Sequence, residues 1–314
     1  MGSARLRCFQ ARDWGIVMGR LPVMRISDLV RLIVLAAIWG FSFIFIRVLA
    51  PVIGPVMTAT FRVFLAGVAL MIYCRSTRLD AEWRSFWREY LFIGVVNSGF
   101  PFLVYAWAAL YVPACYLAIV NSTSPLFGAI LSTVWLKERL TLGKLGAIVL
   151  GAIGVALVAR VPPPDLNPMF GLALFVSLLA PFCYAFASLY TKASPVSARP
   201  TVLAGTSQLS VGLLMLPLIP LAPPTGTFTT SIVLNILGLA LLCSGVAYIL
   251  YYRLLVDIGP TKALTVTFLV PAFGMIWSVI FLSERVTLGM IAGCALIVAG
   301  TAVVLRGPSL TRNS

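Results

Sequence analysis

The sequence predicts an all-α integral membrane protein: ten transmembrane helices arranged as two inverted copies of a five-helix unit. Three observations predict it. Hydrophobic residues fill 61% of the 314 positions and charged residues only 10%, against about 25% charged in a soluble domain whose surface faces water. The apolar residues gather in ten runs of about 20, each long enough to cross a ~30 Å hydrocarbon core. A set of proline, glycine and polar positions also recurs at one spacing in the two halves.

The runs lie at 29–49, 55–74, 90–109, 113–135, 142–160, 170–191, 201–221, 230–252, 259–282 and 287–305. Several are joined by very few residues, which marks tight hairpins. Basic residues set the orientation, because they are retained on the cytoplasmic side. With the N-terminus inside, nineteen of the 23 Lys and Arg are cytoplasmic, among them Arg75, Arg78, Arg84, Arg88, Lys144, Lys192 and Lys262. The outer side receives only Arg47, Arg160 and Arg285, and Arg62 lies within a span. An odd error in the helix count would scramble this asymmetry. The organisation that follows is a basic cytoplasmic extension (1–28), a first unit (29–160), a linker (161–169), a second unit (170–306) and a cytoplasmic tail (307–314). The expected location is a cell inner (plasma) membrane with both termini cytoplasmic. The segment before Ser27 lacks the apolar core and cleavage site of a signal peptide.

The net charge of +14 is dispersed in short strings between apolar runs. That pattern signals topology and attraction to anionic headgroups, and argues against nucleic acid, which needs a clustered soluble face. No two of the six cysteines form a CxxC pair and histidine is absent, so neither a metal site nor a cofactor is expected. Gly143-Lys144 lacks the glycines of a phosphate-binding loop, which removes ATP as an energy source.

At an offset of 146, Pro125 meets Pro271, Phe127-Gly128 meets Phe273-Gly274, and Glu138-Arg139 meets Glu284-Arg285. Ser98-Gly99 likewise meets Ser244-Gly245, and Tyr105 meets Tyr251; an offset of 145 pairs Trp39 with Tyr184. Chance hydrophobic similarity would not keep these in one register. Five helices per unit is an odd number, so the second copy must insert upside down, as in many secondary transporters.

These residues resemble the drug/metabolite transporter superfamily, in its EamA branch, over roughly residues 29–306. The resemblance rests on Trp39-Gly40-Phe41-Ser42-Phe43, Phe61-Arg62, and Pro125 with Leu136-Lys137-Glu138-Arg139-Leu140. The second copy carries Pro271 with Leu282-Ser283-Glu284-Arg285-Val286. It implies a central cavity lined by helices 1–4 and 6–9, helices 5 and 10 on the flank, and export or exchange of small metabolites. It leaves the substrate open.

Candidate substrate-binding residues are those whose polar groups must find partners away from lipid. Arg62 stands inside a span at a cost of about 2.5–3.5 kcal/mol; it either meets an anionic substrate group or snorkels to the interface. Asn97, Pro101 and Tyr105 share a face of helix 3, and Ser244, Tyr248 and Tyr252 one of helix 8, at a spacing of four. Asn121 corresponds to Thr267 beside the mid-span prolines, Gln208 adds an amide on helix 7, and Trp39 and Tyr184 supply aromatic walls. The alternative for each is a structural partner between helices. Glu138 and Glu284 each precede an Arg and then a Thr that could cap the next helix, and read as structural capping and charge-pairing residues. Gly143, Ala147 and Gly151, with Gly289 and Gly293, form small-residue rows that draw helix 5 against helix 10 or against another copy.

The expected function is a secondary transporter or exporter of small organic metabolites, amino acids or related zwitterions among them, by alternating access. No Asp or Glu falls inside a span, which favours facilitated diffusion or exchange over a proton relay. The rival readings are a non-transporting membrane partner subunit and a membrane-embedded enzyme; without histidine or an intramembrane carboxylate the enzyme has little to work with. The partners expected are a small-molecule substrate and the bilayer, in a monomer or a homodimer.

Overall fold

The computed structural model describes residues 25–80, 82–135, 141–160, 168–194, 196 and 198–306. Most of the N-terminal extension, Lys137-Glu138-Arg139, linker positions 161–167 and the tail 307–314 lie outside the described residues. Every element among the described residues is helical. Eight helices are long and apolar enough to cross a membrane: α1 (Ile26–Ile53), α2 (Pro55–Ser76), α3 (Trp83–Ala108), α4 (Ala114–Trp135), α5 (Leu142–Ala159), α6 (Phe170–Thr191), α7 (Pro200–Leu221) and α8 (Thr230–Ile258). Two shorter apolar helices follow, α9 (Val266–Leu282) and α10 (Leu288–Val304).

Helix α3 begins seven residues earlier than its apolar run. Arg84, Ser85, Arg88 and Glu89 make its first two turns polar, and hydropathy alone does not register them. Between α1 and α2 the chain reverses at Gly54, whose φ of 79° is open to glycine without a Cβ penalty. Pro55 follows at the first position of α2, where its fixed φ suits a helix and its missing N–H costs nothing.

The outside of the bundle is apolar. Val134, Phe175, Leu142 and Leu288 are all more than 70% exposed, which water would penalise and hydrocarbon would not. Inside, backbones approach through small residues. A Cβ built on Gly154 of α5 would sit 2.6 Å from the Gly293 carbonyl oxygen of α10, and one on Gly300 2.6 Å from that of Ala147. The small-residue rows therefore pack α5 on α10 within the chain. A Cβ on Gly212 of α7 would lie 2.7 Å from Phe64 Cα in the same way, so α7 lies tight on α2.

Two irregularities position the site. In α3 the segment Val95–Gly99, and in α8 the segment Gly238–Val246, form wide π turns, a feature frequent at functional sites. Helix α4 breaks between its halves Ala114–Asn121 and Ser124–Trp135, because Pro125 has no N–H and crowds the carbonyl of Asn121. Hydroxyls take up the carbonyls around the break: Ser124 Oγ donates to Asn121 O at 2.8 Å and Thr301 Oγ1 of α10 to Ser122 O at 3.3 Å. Backbone at that depth has no water to turn to, so these side chains permit the break.

Thr141 and Thr287 cap α5 and α10, their hydroxyls accepting from the N–H groups of Lys144 and Met290 at 3.3 Å. Glu284 also has a capping role, at a different helix. Its two carboxylate oxygens accept from the N–H groups of Ala114 at 2.8 Å and Cys115 at 3.0 Å, at the start of α4. There they satisfy orphan donors and meet the positive end of the helix dipole. Sequence proximity pointed to the next helix; the folded chain brings a distant helix end closer.

Candidate functional site

A cavity of about 600 Å³ occupies the centre of the bundle, within the range that holds small organic ligands. It runs from Ser42, Phe43, Arg62 and Tyr105 near mid-bundle to Ser132, Lys144, Leu189 and Val304. That end is where α4, α6 and α10 finish and α5 and α9 begin.

The opposite end is tied shut. Glu284 clasps the start of α4, and Arg47 Nη1 donates to the Ala109 carbonyl beside the turn from α3 to α4. The loop before α8 closes on the end of α1, with the Gly226 N–H donating to Val52 O at 2.8 Å and Thr225 Oγ1 to Pro51 O at 2.8 Å. Among the described residues these ties close the bundle at that end, away from Ser132 and Lys144.

The two π turns build matched walls. Residues Asn97, Phe102 and Tyr105 of α3 line the cavity, as do Cys243, Tyr248 and Tyr251 of α8. These triplets stand at the repeat offset from each other, position by position. The spacing of five between their first two members is that of a π turn, not the spacing of four read from the sequence. Pro101 and Tyr252 are consequently not among the lining residues; Phe102 and Tyr251 take those places. Trp39 of α1 packs on this wall, its ring centroid 6.5 Å from that of Tyr248 and 5.4 Å from that of Tyr251.

Arg62 of α2 is 7% exposed and lines the cavity. Its Nε donates to Ser244 Oγ at 3.1 Å, and its guanidinium carbon lies 3.6 Å from the centroid of the Phe102 ring. It sits about 10 Å along α2 from Pro55, at 1.5 Å per residue. Across the cavity Tyr105 donates its hydroxyl to Asn121 Oδ1 at 3.1 Å.

Of the ten residues singled out from the sequence, eight line this one cavity: Trp39, Arg62, Asn97, Tyr105, Asn121, Tyr184, Tyr248 and Thr267. Ser244 stands behind the lining, fully buried, holding Arg62. Gln208 is elsewhere. It is 1% exposed on α7, the helix whose glycines press against α2, and both of its amide atoms lack a partner among the described residues. Its burial belongs to a helix interface, so the inference from polarity to cavity fails for it. Sequence reading passed over Phe102, Tyr251, Ser124, Ser132 and Lys144, which also line the cavity. The repeat offset from Tyr105 was the available signal for Tyr251.

An apolar-surfaced helical bundle enclosing an aromatic-walled cavity set with a few polar side chains is the construction of a multi-pass membrane transporter. The profile of the EamA-like transporter family matches residues 29–160 and again residues 171–306, and the chain belongs to that family. It is 26% identical over 272 residues to Protein PecM of Dickeya dadantii (strain 3937), covering 85% of this chain and 88% of PecM. An uncharacterized transporter of Archaeoglobus fulgidus is 24% identical over 278 residues, with 85% and 95% covered. The uncharacterized transporter YvbV of Bacillus subtilis (strain 168) is 22% identical over 290 residues, with 91% and 93% covered. A solved crystal structure superposes with a TM-score of 0.63 at 17% identity, covering 89% of this chain and 96% of that one, a likeness of fold.

Proposed function

We propose that the protein is a secondary transporter that carries small organic metabolites across a cell inner membrane by alternating access. It does so with ten spans in two inverted units, 29–160 and 170–306, and with both termini cytoplasmic. The observation that carries this reading is the cavity between α3 and α8, with Asn97, Phe102 and Tyr105 on one wall and Cys243, Tyr248 and Tyr251 at the equivalent positions on the other. A pocket walled by two equivalent half-sites suits exchange between two mirror-like states, one open at each end. With the positive side inside, the open mouth at Lys144 faces the cytoplasm and the end closed by Arg47 and Glu284 faces outward. Membership in a family of transporters favours transport over catalysis.

Topology is tested by single cysteines at Asp80 and Thr227, both exposed in loops, probed with a membrane-impermeant maleimide on intact cells. Thr227→Cys is expected to label and Asp80→Cys only after lysis. Labelling of both from the same side would defeat the ten-span arrangement.

Coupling is tested in proteoliposomes containing the purified protein, loaded from a metabolite panel. Among the described residues none that lines the cavity is Asp or Glu, so flux down a substrate gradient is expected to persist after an uncoupler collapses the proton gradient. Abolition of that flux by the uncoupler would establish proton coupling and remove the facilitated-diffusion or exchange mechanism.

A further inference from the structure

Arg62 has unused hydrogen-bonding capacity. A guanidinium carries five N–H donors in a planar fork. Among the described residues only Nε has a protein acceptor, Ser244 Oγ, and no carboxylate pairs with the group; the ion pairs there are those of Arg31 with Asp28 and Asp257. The charge is nonetheless more than nine-tenths buried. Burying a cation unpaired is costly, and the fold accepts that cost where the group borders the cavity.

The guanidinium is also held in one pose. Phe102 stacks on its face at 3.6 Å and Ser244 fixes its Nε edge. The remaining edge carries the paired N–H groups of Nη1 and Nη2, the geometry that receives a carboxylate in a bidentate fork. Around it the lining is aromatic, with Trp39, Phe43, Tyr184, Tyr248 and Tyr251, and among the described residues it holds no Asp or Glu. An ammonium entering this space finds no counter-charge, whereas an acid finds one.

We propose that the cavity takes a small organic monocarboxylate, its acid group on the free edge of Arg62 and its aromatic or aliphatic body against the Trp39, Tyr248 and Tyr251 wall. This rests on the reading of the cavity as the transport site and deepens it by naming the substrate class. Empty, Arg62 is a stability burden; filled, its charge is matched. Ser244 is a positioning residue that sets the angle of the fork.

The test uses the purified full-length chain with 3-phenylpropionate, its amide and 2-phenylethylamine as probes of one shape and three charges. Binding is read by calorimetric titration and by the shift in thermal unfolding midpoint, and flux in proteoliposomes. The acid is expected to bind at least tenfold tighter than the amide, and the amine weakest of the three. Arg62→Met should erase the preference for acid over amide, and Arg62→Lys, with the charge but not the planar fork, should restore part of it. Without ligand, Arg62→Met should unfold at or above the wild-type midpoint, because it removes an unmatched charge; a merely structural arginine would lower it. The proposal is overturned if amide and acid bind alike, if Arg62→Met keeps acid affinity, or if unliganded Arg62→Met unfolds well below wild type. Arg62-dependent binding of acid without any flux would uphold this site and defeat the transport reading. Flux of the amide or the amine in preference to the acid would do the reverse.

Discussion

Gly128→Trp is expected to abolish transport while the protein folds as before. Gly128 lies on the second half of α4 and lines the cavity. A Cβ placed there meets nothing within 4 Å, so a side chain leaves the helix into open space. An indole covers about 150–250 Å² and would stand in a cavity of about 600 Å³ between the mouth and Arg62. Helical glycine is about 0.8–1 kcal/mol less favourable than alanine, and Trp recovers part of that difference, so the unfolding midpoint should hold or rise. Gly128→Ala adds too little volume to obstruct and should keep most of the flux. Solute flux measured in proteoliposomes beside thermal unfolding in detergent separates a blocked path from a broken fold. Undiminished flux through a folded Gly128→Trp protein would place the route elsewhere.

How much of this could be read from the chain depends on the range of the interaction. The membrane class and the helical runs follow from composition and length, since lipid imposes both on each segment separately. The pairing of half-sites follows from the repeat, whose offset of 146 makes Tyr105 and Tyr251 equivalent positions. What the sequence did not disclose is the wide turn in α3 and α8. A spacing of four selects Pro101 and Tyr252, but five residues separate Asn97 from Phe102 and Cys243 from Tyr248 along the π-turn helices, and Phe102 and Tyr251 line the cavity instead. Gln208 was misjudged because polarity in a span signals a need for partners and not which neighbour supplies the space. Lys144 enters the sequence reading only as a cytoplasmic charge; it lies in the first turn of α5 and lines the cavity. Glu284 was read with its sequence neighbours, although its partners are 170 and 169 residues away.

That carboxylate is where a conservative substitution should have a large conformational effect. Glu284→Gln keeps size and shape but replaces one of the two acceptor oxygens with an NH₂ group, which cannot accept from the N–H of Ala114 or Cys115. It also removes the negative charge from the positive end of α4. A hydrogen bond to a charged group contributes about 1.5–3 kcal/mol, and 1.4 kcal/mol is a factor of ten in an equilibrium. The balance between the closed and open forms of this end should therefore shift by roughly ten- to hundredfold toward open. The change can be read with a cysteine at Ser124, which lines the cavity beyond the seal. In vesicles, labelling of Ser124→Cys by an impermeant maleimide from the Glu284 side should be slow in the parent and at least fivefold faster with Glu284→Gln added. Net flux should fall in parallel, because a cycle that cannot hold one end shut stalls in the other state. Arg47 and the Gly226–Val52 bond remain in place, so the protein should still fold. Unchanged labelling and unchanged flux in a folded Glu284→Gln protein would show that the carboxylate caps α4 without governing the gate.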